Sequence, residues 1–159
     1  MGTENISQGG QQKYILPFLA PAYAAFDDVA WAVLRIATGL LLVPHGAQKL
    51  FGLFGGGGLT GTAGWLESVG YSAPGLMALL IGLVEFVGGL LIAFGFLTRP
   101  AAAAVAVFMA FAVSFHIGNG FFWTARGFEY PILWGLAAVF FAVKGGGAYS
   151  IDTKIGHEL

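Results

Sequence analysis

Six ionisable side chains, Arg35, His45, Lys49, Glu85, His116 and Glu129, stand in stretches of sequence otherwise almost free of charge. Arginine and lysine donate hydrogen bonds to anions or carbonyl oxygens. Imidazoles and carboxylates take up and release protons. On one helix, Arg35 and Lys49 lie about 40° apart around the axis, and His45 about 40° further round on the same side. His45 and Lys49 are i,i+4 neighbours. Gly39 and Gly46 share that stripe, so a helix or a flat ligand can approach closely. Pro44 removes a backbone donor next to His45 and is expected to kink the helix and free a carbonyl near the cluster.

At about 1.5 Å of rise per residue, Glu85 falls near the middle of its own apolar stretch, and Arg35 slightly to one side of that depth. A long arginine is therefore expected to reach Glu85 as an interhelical ion pair, with a proton path as the competing reading. His45, Lys49, His116 and Glu129 form a second polar layer around the outer mouth. Each has a plainer reading too. Lys49 snorkels to headgroups, Glu129 complements a helix dipole, and His116 caps a helix end with a backbone partner. His45 sits between Pro44 and Gly46 inside an apolar helix, so structure alone explains it least.

These residues need membrane helices to position them. The chain has 159 residues, 57% hydrophobic and 9% charged, with a net charge of -1 and a mean hydropathy of +0.80. A soluble domain carries about 25% charged residues. That composition excludes an ordinary soluble domain, a disordered chain and a nucleic-acid binder, which would need a basic patch. No cysteine is present, which excludes disulfides, thiolate metal sites and iron–sulfur clusters on this chain, and no metal site is expected. Four stretches, residues 29–50, 74–96, 100–115 and 129–143, approach the roughly 20 apolar residues that a span needs. The last two are short enough to require tilt or local thinning. The expectation is an all-α integral membrane protein, a four-helix transmembrane bundle in one domain over residues 29–144. Residues 1–28 form an N-terminal arm, disordered to about residue 12 and then interfacial. Residues 145–159 form a cytoplasmic tail. No basic n-region opens the chain, so no cleaved signal peptide is expected.

The glycine-rich run at residues 55–61 matches G-x-G-x-x-G, but it follows a membrane span rather than a strand, so it reads as a loop and not as a dinucleotide site. Residues 62–69 read as a short interfacial helix and, with that loop, a lid over the outer mouth. Lys13, Arg99, Lys144 and Lys154 outnumber Lys49 and Arg126 across the four spans, which places both termini in the cytoplasm. Trp65, Tyr71, Trp123 and Tyr130 make an aromatic belt on the opposite side.

The sequence resembles the DoxX family of small four-span bacterial membrane proteins. The resemblance lies in Leu34-Arg35-Ile36-Ala37-Thr38-Gly39, His45-Gly46-Ala47-Gln48-Lys49-Leu50, Glu85-Phe86-Val87-Gly88-Gly89, Gly95-Phe96-Leu97-Thr98-Arg99 and Gly147-Ala148-Tyr149-Ser150-Ile151-Asp152. It implies an inner-membrane subunit tied to respiratory or sulfur-linked redox, with Arg35, His45, Lys49, Glu85 and Arg99 at matching positions. It also implies quinone-like substrates, as in the broader superfamily. A quinone needs an apolar slot, donors and a proton route. His45 and Lys49 donate, with Arg35 beside them; His116 or Glu129 relay protons; Phe51, Phe54, Phe115, Phe121 and Trp123 line the slot. Haem held by His45 and His116 is the weaker expectation, because the nearby charges suit a quinone better. Electrons must come from a partner or a further cofactor, and other subunits or further copies of the chain are expected in the bilayer. Two alternatives stand beside this reading: an assembly subunit without chemistry, and a small-solute or proton-coupled carrier.

Overall fold

A computed structural model describes residues 14–157 of the chain. The expected disorder of residues 1–12, and Lys13, lie outside the described residues. A 3-10 turn at Pro17–Leu19 leads into α1, Ala20–Phe51. At 32 residues, α1 is about 48 Å long, and it begins well before the expected start of the first span. Pro21 occupies its opening turn, where a missing N–H costs nothing, and Gly52 ends it in the left-handed conformation at φ 72°. A 3-10 turn follows, and then α2, Gly58–Ser68. Pro74 opens α3, Pro74–Leu83. A π-helical turn at Val84–Gly88 joins α3 to α4, Gly89–Phe94. After a left-handed Gly95 come α5, Thr98–His116, and α6, Glu129–Lys144. The short α7, Ile151–Ile155, closes the described chain.

The all-helical expectation holds for the described residues, which contain no strand. Two segments, Pro74–Phe94 and Thr98–Asn119, are long and apolar enough to cross a membrane. Many large apolar side chains face outward, Phe94, Phe111, Leu133 and Val143 among them, while Arg35, Thr38, Glu85, Thr98 and Asp152 are buried. That arrangement suits lipid rather than water as the surrounding medium.

Glycines set how closely the helices pack. A methyl group on Gly39 would overlap the backbone at Gly89 and Ala93, and one on Gly46 would overlap the Phe86 backbone. Contacts this close need small residues at the crossing. Gly88 meets only a Val105 methyl. Ala101, Ala102, Val105 and Met109 of α5 interleave with Ala138 and Phe141 of α6, and Leu42 and Ile92 complete this core. Trp31 carries α1 to α6 by packing on Phe140 and Phe141.

The π turn aligns two stripes that an ordinary helix would separate. From Met77 to Ala93 an unbroken α-helix turns its face by about 160°. A π turn absorbs one residue without advancing the helix, which reduces this to about 60°. Glu85 on one stripe, and Gly89 on the next, then both meet α1.

At the end of the bundle where α5 begins, the segment after α6 folds back onto it. Trp31 Nε1 donates to the Gly145 carbonyl at 3.3 Å, and Arg35 Nη2 to the Tyr149 carbonyl at 2.9 Å. The Asp152 carboxylate accepts from the Leu97 and Thr98 backbone N–H groups at 2.8 and 2.9 Å, and from the Thr98 hydroxyl at 2.7 Å. It thereby caps α5, whose own N-terminal residues supply no cap.

Candidate functional site

A cavity of about 870 Å³ opens among α1, α2, α3, α5 and α6. Five of the eight expected site residues line it: His45, Lys49, Glu85, His116 and Trp123. Lys49 Nζ donates to Glu85 Oε2 at 2.6 Å and lies 3.4 Å from the His45 carbonyl. The two side chains are 28% and 7% exposed, so the pair is largely withdrawn from the surroundings. It contributes one charge of each sign, and the cavity wall carries no net fixed charge from it.

The Arg35–Glu85 pair expected from depth is not formed. The helix register explains why. Gly46 lies opposite Phe86 and Gly39 opposite Gly89, so Arg35 falls opposite Gly95 and not Glu85. Arg35 sits 14 residues from Lys49, about 21 Å along the helix. It belongs to the end of the bundle where α5 begins, near the charge of Asp152.

No hydrogen bond ties the His45 imidazole to a described residue. Its ring meets Trp134 edge-on at 6.1 Å. The His116 Nδ1 donates to the Arg126 carbonyl at 2.7 Å, an acceptor shared with Asn119 Nδ2. A carbonyl can only accept, which leaves Nε2 of His116 as the atom available to the cavity. Glu129 does not line the cavity. It opens α6, and its Oε2 accepts from the Trp123 N–H at 3.1 Å, steadying the loop that carries that indole. Phe51 lies outside the cavity against Phe86, with ring centroids 5.2 Å apart. Of the other aromatics assigned to the slot, Phe115 lines the cavity and Phe54 and Phe121 do not.

The aromatic wall is larger than the sequence indicated. Trp123 stacks on Tyr130 at 5.6 Å, and Tyr130 meets Trp134 edge-on at 5.5 Å, in a continuous line to His45. Across the cavity Trp65 of α2 meets Phe115 at 5.2 Å. Trp65, Tyr71, Trp123 and Tyr130, read as an interfacial belt, all line the cavity. Tyr130 and Trp134 are i,i+4 neighbours, a spacing that marks one helix face and could have identified them. Met77, Ile81 and Glu85 repeat the same interval on the opposite wall. The arrangement presents flat apolar faces, one strong donor, one acid and one unpartnered imidazole. It suits a flat, neutral ligand with an acceptor at its buried end. Among the described residues no three His, Asp or Glu side chains converge as a metal site would require.

The DoxX family model matches residues 30–118. A relative in Escherichia coli, the inner membrane protein YqjF, is 35% identical over 133 residues, covering 83% of this chain and 96% of its own. An uncharacterised protein of Haemophilus influenzae is 34% identical over 131 residues, covering 77% of this chain and 88% of its own. CatD of Bacillus subtilis, whose name gives it provisionally as an oxidoreductase, is 33% identical over 72 residues, covering 45% of this chain and 48% of its own. No solved structure matches the chain.

Proposed function

This chain belongs to the DoxX family of membrane proteins, and on that premise we propose that it is a subunit of a redox or respiratory assembly, binding a quinone-like ligand in its cavity. The observation that carries the reading is an aromatic-walled cavity with the Lys49–Glu85 pair and an unpartnered His45 ring in its wall. A quinone, when bound, supplies two-electron, two-proton chemistry. Lys49 and His45 donate hydrogen bonds to its carbonyl oxygens, and Glu85 and His116 hold protons at the two ends of the cavity. The stacked Trp123, Tyr130 and Trp134 orient the ring and exclude water. The chain contains no cysteine, so a partner protein delivers the electrons. The oxidoreductase name of CatD points the same way.

Saturable quenching of tryptophan fluorescence checks this reading, because Trp65, Trp123 and Trp134 line the cavity. A short-chain quinone titrated into the full-length protein in lipid nanodiscs is expected to quench. His45→Gln is expected to weaken binding about tenfold, equivalent to about 1.4 kcal/mol. Absence of saturable quenching removes the quinone reading.

A purely structural subunit is the second reading, favoured by the Lys49–Glu85 pair and by the contacts of Arg35 and Asp152 near the start of α5. Absence of saturable quinone quenching in a folded, fully assembled protein supports it.

Within the same proposal, α1 and α6 also cross the membrane, giving four spans with both termini in the cytoplasm. α6 has 16 residues and spans about 24 Å, which calls for local thinning or snorkelling at its ends. The absence of cysteine makes this directly measurable. Single-cysteine variants Ser72→Cys and Lys154→Cys are expected to react with an impermeant maleimide from opposite faces. Labelling of both from one face rules out this topology.

A further inference from the structure

We propose that Lys49 is a carbonyl-reactive amine, and that the cavity takes a lipid-soluble aldehyde or ketone as a covalent iminium with Glu85 as acid, base and counter-ion. The inference rests on the reading that the cavity admits a lipid-soluble carbonyl compound.

Three observations converge on Lys49. It is the one lysine among the described residues that lines the cavity. Its Nζ lies 2.6 Å from the Glu85 carboxylate and 3.4 Å from the His45 carbonyl, so the head is held in place. The remaining wall is mostly aromatic and apolar. A lysine withdrawn from water beside a base is the arrangement that activates an amine toward carbonyl carbon. Separated charges are costly in such surroundings, and the 2.6 Å contact offers a direct path for the proton from the ammonium to the carboxylate.

The reaction balances without an oxidant or reductant. Proton transfer to Glu85 leaves a free amine. Its lone pair attacks the carbonyl carbon, a C–N bond forms, and the proton shed by nitrogen moves to the former carbonyl oxygen. The Glu85 carboxylic acid then protonates that hydroxyl, which leaves as water while nitrogen forms the C=N bond. The product is an iminium cation beside a carboxylate, carrying the same charges as the starting ion pair. Loss of water is favoured in a water-poor cavity, and aromatic faces stabilise the cation.

The test uses full-length protein in lipid nanodiscs, trans-cinnamaldehyde as the probe and sodium cyanoborohydride to reduce the iminium. Peptide mass spectrometry reads the adduct as the aldehyde mass less one oxygen. Lys144 and Lys154, exposed on α6 and α7, serve as internal controls. Lys49 is expected to be modified about tenfold faster than either control. Lys49→Arg keeps a cation beside Glu85 and abolishes the adduct at that position. Tryptophan quenching by the aldehyde without reductant reports entry into the cavity. Quenching with no Lys49 adduct, or equal rates at the three lysines, overturns this proposal and leaves the cavity reading standing. No quenching and no adduct overturns both.

Discussion

Gly46→Val is expected to destabilise the protein by about 3 kcal/mol, the upper part of the usual range for overpacking. The added side chain meets the Phe86 backbone, which belongs to the π turn and cannot shift without moving Glu85 away from Lys49. In a core of side chains a new methyl group displaces a flexible neighbour. Here the neighbour is main chain, so the helices themselves must separate. Gly64→Ala is the matched control. Gly64 lies inside α2 with open space around it, and alanine there is expected to gain about 1 kcal/mol from helix propensity. Thermal unfolding in mild detergent measures both. Equal midpoints for the two variants contradict the close α1–π-turn contact.

The second large effect concerns the charge pair. Lys49→Met or Glu85→Met alone leaves a charge in a largely apolar wall. Each single change is expected to cost about 3 kcal/mol, the low end for a broken buried pair, because Lys49 keeps 28% exposure. Replacing both together, Lys49→Met with Glu85→Met, is expected to return stability to near the native value. The same double variant is expected to lose quinone-dependent quenching. Stability recovered with binding lost separates a ligand site from a structural pair. Stability recovered with binding retained assigns the pair to structure alone, and additive losses from the two single changes deny the interaction itself.

Much of this architecture follows from local sequence. Pro74 and the left-handed Gly52 and Gly95 bound helices where proline and glycine are favoured. The close approach at Gly39 and Gly46 follows from small residues on one stripe of α1. The π turn does not, because it depends on one residue too many between two stripes that both face α1. The i,i+4 spacing puts Tyr130 and Trp134 on one helix face, but it does not say whether that face meets lipid or a cavity. In a membrane protein an outward tryptophan and an inward one have the same composition, and only the neighbours distinguish them.

The sequence by itself determined the class, the helices and the set of candidate residues. Charges are costly in an apolar medium, so the few that remain stand out by type and position alone. Pairing was decided by tertiary structure. Two antiparallel helices can slide past each other by a turn while keeping the same buried faces. The crossing of Gly46 at Phe86 and of Gly39 at Gly89 fixes that slide. It assigns Glu85 to Lys49 at the cavity, and sends Arg35 to the carbonyl of Tyr149 near the start of α5.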